Sequence, residues 1–171
     1  MAVVPAVAST LLIFAPPLAS MQTSTSCLAS TESDLVNAHN SARSAVSVRP
    51  LVWSTQVASY AQNWASTLQA SCQMVHSSGP YGENLYMWRG SDGSVAPPAT
   101  DAVKEWVKEK ADYNYASNTC APGKECRHYT QVVWRNSTRV GCARVKCNGA
   151  NAYIVSCNYD PPGNVGGQKP Y

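Results

Sequence analysis

Residues 139–158, RVGCARVKCNGANAYIVSCN, hold two β-prone runs, Arg139 to Cys147 and Ala152 to Asn158, around the dipeptide Asn148-Gly149. Asn-Gly supplies the positive φ values of a hairpin turn, so the runs read as antiparallel strands. Side chains alternate along a strand, so Cys142 and Cys147 face opposite sides and need partners in different directions. A four-residue loop, Asn148 to Asn151, sets Cys157 opposite Cys142 and predicts a bridge between them. That leaves Cys147 to reach back to Cys72, while Cys120 and Cys126 close a local loop. Six cysteines allow many other pairings, so this one is an expectation.

Upstream of the hairpin the period changes. Tyr129 to Trp134 is a further β-prone run, whereas the first half of the chain is helical in pattern. From Thr31 to Ser44 the apolar positions Leu35, Ala38 and Ala42 share one face with His39, and Ser33 is placed to cap the first turn. Ser54 is placed to cap a second helix whose Val57, Tyr60, Ala61, Trp64 and Leu68 form an inward stripe. A third helix is predicted from about Asp101 to Tyr113, after the breaker Pro97-Pro98, with Val103, Trp106 and Val107 on one side. The Gly-, Ser- and Pro-rich residues 79–98 read as a loop wrapping a site or the surface. Helices first and strands mainly last give an α+β layered domain.

The chain of 171 residues is long enough for one compact domain. Residues 1–20 contain no charge and end in Ala19-Ser20, and prolines interrupt the apolar run, so it reads as an export signal rather than a membrane anchor or a buried helix. Seven cysteines agree with export, because disulfides persist in oxidising compartments. The odd one is Cys27. Cleavage after Ser20 would retain it, whereas cleavage after Ala29 would leave six pairable thiols. The expected division is therefore a signal peptide over 1–29, cut between 20 and 30, and a single domain over 30–171. Within that domain, residues 161–171, with three prolines and three glycines, are expected to form an exposed tail, unless Tyr171 docks on the core.

A net charge of +3 with scattered Lys and Arg excludes a nucleic-acid groove. Three histidines exist, His39, His76 and His128; Glu83 follows His76 by seven residues, and Glu105 and Glu109 lie on the third helix. Two imidazoles and two carboxylates in one cleft suit a divalent ion such as zinc or a general acid-base pair; the plainer reading is a hydrogen-bonded polar plug. No His-Glu-x-x-His helix, Gly-x-Ser-x-Gly elbow or phosphate-cradling loop occurs, and Cys126 beside His128 reads as a disulfide partner rather than a nucleophile. Asn136-Ser137-Thr138 is a glycosylation sequon between two predicted strands.

Four blocks carry a family resemblance: His39-Asn40-Ser41-Ala42-Arg43, Gly82-Glu83-Asn84-Leu85, His128 to Trp134 followed by Arg135-Asn136-Ser137, and Ile154 to Asn164. They resemble, in order, the motifs of the CAP superfamily of cysteine-rich secretory, antigen 5 and pathogenesis-related 1 proteins. Tyr113-Asn114-Tyr115 and the ending Lys169-Pro170-Tyr171 resemble its plant pathogenesis-related class 1 branch. The resemblance implies a three-layer α-β-α sandwich with a mainly antiparallel central sheet, and its six-cysteine pattern fits the pairing above. It carries a cleft tetrad onto His76, Glu83, Glu109 and His128; Glu109 is chosen over Glu105 because the family acid lies three residues after the helix-three tryptophan, here Trp106. His39 reads as structural. The implied function is a secreted, monomeric, apoplastic defence protein acting on fungi and oomycetes by binding sterol or lipid of pathogen membranes, not an enzyme, with zinc in the cleft an option rather than a requirement. Two rivals are a metal-dependent hydrolase using the cleft and a precursor whose C-terminal peptide signals.

Overall fold

The computed structural model describes Met1 and residues 30–171; the predicted leader, its cleavage region and Cys27 otherwise lie outside the described residues. Helix α1 (Glu32–Ser44) starts at Thr31, whose Oγ1 accepts the Asp34 N–H at 3.1 Å while Asp34 Oδ2 accepts the Thr31 N–H at 2.9 Å. This reciprocal box satisfies two orphan donors at once and displaces the expected cap, Ser33, into the first turn. Strand β1 (Val52–Trp53) leads into helix α2 (Thr55–Leu68), which Ser54 caps as predicted. Strand β2 (Gly82–Arg89), helix α3 (Thr100–Lys108) with a 3-10 turn (Glu109–Asp112), and the short strands β3 (Tyr113–Asn114) and β4 (Thr119–Cys120) follow. Helix α4 (Arg127–Val132) and the hairpin of β5 (Arg139–Lys146) and β6 (Ala152–Asp160) complete the described chain.

The main sheet runs β1-β5-β6-β2. Its long pairings are antiparallel, but β1 pairs parallel with β5, so the sheet is mixed. Cys142 sits opposite Cys157, and the three bridges are Cys72–Cys147, Cys120–Cys126 and Cys142–Cys157, the predicted set. Alternation splits the hairpin between two cores. Val140, Cys142, Val155, Cys157 and Tyr159 pack with Leu35, Trp106 and Tyr129 on the side of α1, α3 and α4. Ala143, Val145, Cys147, Ala152 and Ile154 pack under α2 with Ala61, Ala65 and Leu68. Helices thus cover both sheet faces. Gly141 sets the approach of α2, since a Cβ there would lie 2.0 Å from the Ala58 backbone nitrogen. Among the described residues no helix is long and apolar enough to cross a membrane.

Two segments depart from the sequence reading. Residues 79–98, expected as loop, contain β2, which pairs along its whole length with β6 from Gly82↔Tyr159 to Arg89↔Ala152. Backbone pairing to a neighbour supplies the order that its mixed side-chain pattern does not advertise. Tyr129 to Trp134, expected as strand, falls largely in α4, where Tyr129 and Val132 are fully or almost fully buried, as is Val133 just after it. This burial and a carboxylate cap at its first turn outweigh β propensity here. The third helix ends sooner than predicted, its last turn tightening to the 3-10 form before β3.

Residues 161–171 carry no helix or strand. Pro161, Pro162 and residues 165–169 are exposed, Gly163, Asn164 and Tyr171 are half-buried, and Pro170 is buried. Tyr171 packs against the α1-side core.

Candidate functional site

At the end of the sheet where β2 begins and β6 stops, His76, Tyr81, Glu83, His128 and the chain from Pro162 to Asn164 line a cleft of about 390 Å³. His76 reaches it from the exposed segment after α2. Its Nδ1 donates to Glu83 Oε1 at 2.8 Å, and the same oxygen accepts the Ser77 N–H at 3.0 Å. Asn158 Nδ2 donates to the other oxygen at 3.3 Å. Glu83 is therefore pinned, with only 5% of its side chain exposed against 61% for His76.

The second pair stands on α4. His128 Nδ1 donates to Glu109 Oε1 at 2.6 Å, while Glu109 Oε2 accepts the backbone N–H groups of His128 and Tyr129, both at 3.1 Å. Glu109, at the turn that follows α3, thus caps α4 and orients its histidine together. The His128 ring also lies nearly parallel to Trp106, at 13° and 6.3 Å between centroids. Glu105, the residue passed over for the tetrad, points to Lys108 at 2.6 Å instead.

The four side chains therefore form two His–Glu pairs. His76, Glu83 and His128 face one cleft, and Glu109 joins it through His128. Among the described residues no three of the four bring ligand atoms within 4.8 Å of one another. Each Nδ1 is held by a carboxylate and, among the described residues, neither Nε2 makes a hydrogen bond, which is the arrangement of imidazoles supported from behind for an outward ligand. A closed cage of two histidines and two glutamates does not fit this arrangement. Two imidazoles with open positions do. Among the described residues His39, Cys142 and Cys157 do lie that close together, but they form no metal centre, because both sulfurs are bridged and both ring nitrogens are engaged.

Behind the cleft runs a buried polar chain. His39 Nδ1 donates to the Leu35 carbonyl at 2.7 Å, which makes Nε2 the acceptor for Tyr159 Oη–H at 2.9 Å. Asn84 Nδ2 donates to Tyr159 Oη at 3.2 Å and to the His128 carbonyl at 3.0 Å. Full burial pushes the His39 imidazole down to about 4, with the Arg43 charge adding to the effect and the Leu35 bond opposing it. Burial likewise raises the Tyr159 phenol. Arg43 is buried without a carboxylate partner among the described residues and donates to the carbonyls of Arg49, Val132, Trp134 and Ser137. Burial lowers it to about 10, so it stays charged at neutral pH.

The model of the CAP family, described as the cysteine-rich secretory protein family, matches residues 36–159. The chain belongs to the CAP family. Within it, the chain falls in the pathogenesis-related 1 branch. It is 57% identical over 164 residues to pathogenesis-related protein 1C of Nicotiana tabacum, covering 95% of this chain and 91% of the relative. It is 55% identical over 140 residues to pathogenesis-related protein 1 of Arabidopsis thaliana, covering 82% of each. Among solved structures it is similar to NaASP2 with Zn2+, at 26% identity and a TM-score of 0.64, over 80% of this chain and 82% of that one. Venom allergen-like protein 4 of Schistosoma mansoni shares the CAP fold at 24% identity and a TM-score of 0.62, over 80% of this chain and 90% of that one.

Sequence reasoning did not reach Asn84, Tyr159 or Gln131 as supports of the CAP cleft. All three stand within the motif blocks that carry the family resemblance, which is the signal the sequence offers for them. Gln131 accepts the Gly163 N–H at 2.9 Å and donates to Ser137 Oγ at 3.1 Å, joining α4 to the chain that follows β6.

Proposed function

We propose that this plant defence protein of the pathogenesis-related 1 type is exported through a leader within residues 1–29 and acts by binding an apolar ligand, a sterol of fungal or oomycete membranes. The observation that carries this reading is a groove of about 570 Å³ between α1, α2 and β5, with Leu35, Trp53 and Ala58 on an apolar side and Glu32, Gln62 and Arg144 on a polar one. Its size is that of a site for a small apolar ligand. Trp53 belongs to the same wall, and its indole N–H is buried without an acceptor among the described residues. Labelled sterol retained saturably by the secreted protein, and lost in Ala58→Trp, is the expected result. Equal retention by the filled groove would remove the reading.

A second reading concerns the cleft. The two carboxylate-backed imidazoles suit a divalent ion bound through His76 and His128, and the related NaASP2 structure contains zinc. Zinc would supply a Lewis acid there, while Glu83 and Glu109 orient the rings. Both carboxylates already accept three hydrogen bonds, which argues against either serving as a free general base and favours binding over hydrolysis. Titration with zinc chloride should show binding that weakens at least about tenfold in His128→Ala. Metal-stimulated hydrolysis of a defined substrate, lost in the same variant, would favour the enzyme instead. Asn136 is exposed beyond α4, as a glycan acceptor must be, and peptide mass mapping of secreted protein tests its occupancy.

A further inference from the structure

From the contacts of residues 162–171 we infer that the surface formed by α4, the β3–β4 turn and the segment after α4 is a peptide-binding groove, which holds this chain's own C-terminal segment as a ligand and takes the same peptide in trans. The inference is independent of the sterol and metal readings above. Recognition begins at Gly163, whose N–H donates to Gln131 Oε1 at 2.9 Å. At Asn164 both ends of the amide are read: Oδ1 accepts Thr130 Oγ1–H at 2.6 Å and Nδ2 donates to the Arg127 carbonyl at 2.8 Å.

Residues 165–167 then cross the surface exposed, and specific contact resumes at the chain end. The Gln168 carbonyl accepts Asn118 Nδ2–H at 3.0 Å, and Lys169 Nζ donates to the Ala116 carbonyl at 3.1 Å while standing 4.5 Å above the Tyr115 ring. The Pro170 carbonyl accepts the Arg135 N–H at 2.7 Å, and its ring is buried. Tyr171 stacks on Tyr115 at 4.6 Å and 9°, its phenol meets that of Tyr129 at 3.3 Å, and its terminal carbonyl accepts the Tyr115 hydroxyl. Side-chain readout at two separated points with backbone bonds between them is how an extended peptide is recognised in a groove. The partner is thus a peptide with an asparagine near its start and Lys-Pro-Tyr after an exposed stretch.

All of these contacts lie after the Pro161–Pro162 bond between two exposed prolines, and the Pro161 carbonyl, which accepts Ser137 Oγ–H at 2.7 Å, stays on the core side of a break there. A break there leaves the recognition intact, so the segment stays on the core as a non-covalent ligand. Because Pro162, Gly163 and Asn164 also wall the His–Glu cleft, retention keeps that cleft complete.

The test places a recognition site for a specific protease between Pro161 and Pro162 of the full chain and cuts the folded protein. Gel filtration should find the cut peptide co-eluting with the core, circular dichroism should be unchanged, and synthetic peptide of residues 162–171 should displace it. Loss of a stacked aromatic pair with its hydrogen bond is worth about a tenfold change, so Tyr115→Ala should speed peptide loss roughly tenfold. Immediate separation of the peptide from a folded core overturns the inference. So does unfolding of the core on cutting, and so does equal retention in Tyr115→Ala.

Discussion

The two faces of the sheet are packed by different rules. Under α2 the core cluster consists of small and aliphatic residues, Ala61, Ala65, Ala143, Ala152 and Ile154 among them, closed by the Cys72–Cys147 bridge. Buried Ser156 and Asn158 alternate with Ile154 on this face, and Asn158 sits at the cleft end beside Glu83. Opposite them, under α1, α3 and α4, His39, Arg43, Asn84 and Gln131 are buried among the apolar residues and joined by directional hydrogen bonds. Apolar contact tolerates small shifts, whereas a buried donor must meet its acceptor within tenths of an ångström. The face that carries His128 is the face fixed by direction. The α2 face supplies burial and closeness.

Arg43→Met should break this contrast most sharply, because it takes a charged donor away from the buried carbonyls of Val132, Trp134 and Ser137. Chemical denaturation should find about 4 kcal/mol of stability lost. A loss under about 1 kcal/mol would mean that the polar face is held by its apolar residues after all. The next effect is read against pH. His39 is held at about 4 when folded and titrates near 6.5 when unfolded, so the unfolded chain binds the extra proton between those values. Stability from this group is full above about 6.5 and falls as pH drops towards 4, by roughly 3 kcal/mol in all. His39→Gln should flatten that part of the stability profile, and an unchanged slope would reassign the acid sensitivity to the carboxylates.

On the α2 face Gly141→Ala should cost about 2 kcal/mol in chemical denaturation by pushing α2 off β5. A loss under about 0.5 kcal/mol would show that the helix yields without cost. At the small end, Glu105→Gln removes an exposed partner of Lys108 and should leave the melting midpoint unmoved within error of the measurement.

The hairpin was legible because its information is local. Asn148-Gly149 fixes the turn, the turn fixes the register, and the register joins Cys142 to Cys157. Strand β2 was not legible, since it becomes a strand by lying against β6, some seventy residues on, rather than by its own alternation. Helix α4 hid for a related reason, as its first-turn donors are satisfied by Glu109 from another element. The residues of the cleft came from resemblance to the family. How they are joined did not, because the His39–Tyr159 bond spans 120 positions and leaves no periodic trace. The docking of Tyr171 on Tyr115 was likewise masked by a composition of prolines and glycines that reads as loose.

The bridge between Cys142 and Cys157 links two neighbouring strands that are already paired, and its consequence is mechanical. Strand β6 lies between β5 and β2, and the chain leaves it at Asp160. A pull on the C-terminal end therefore enters the sheet through β6. Only Asn158, Tyr159 and Asp160 can peel before the load reaches a covalent bond that transfers it to β5. Beyond that point the hairpin bears tension as one body, and further extension must come from tearing β2 or β1 away from it.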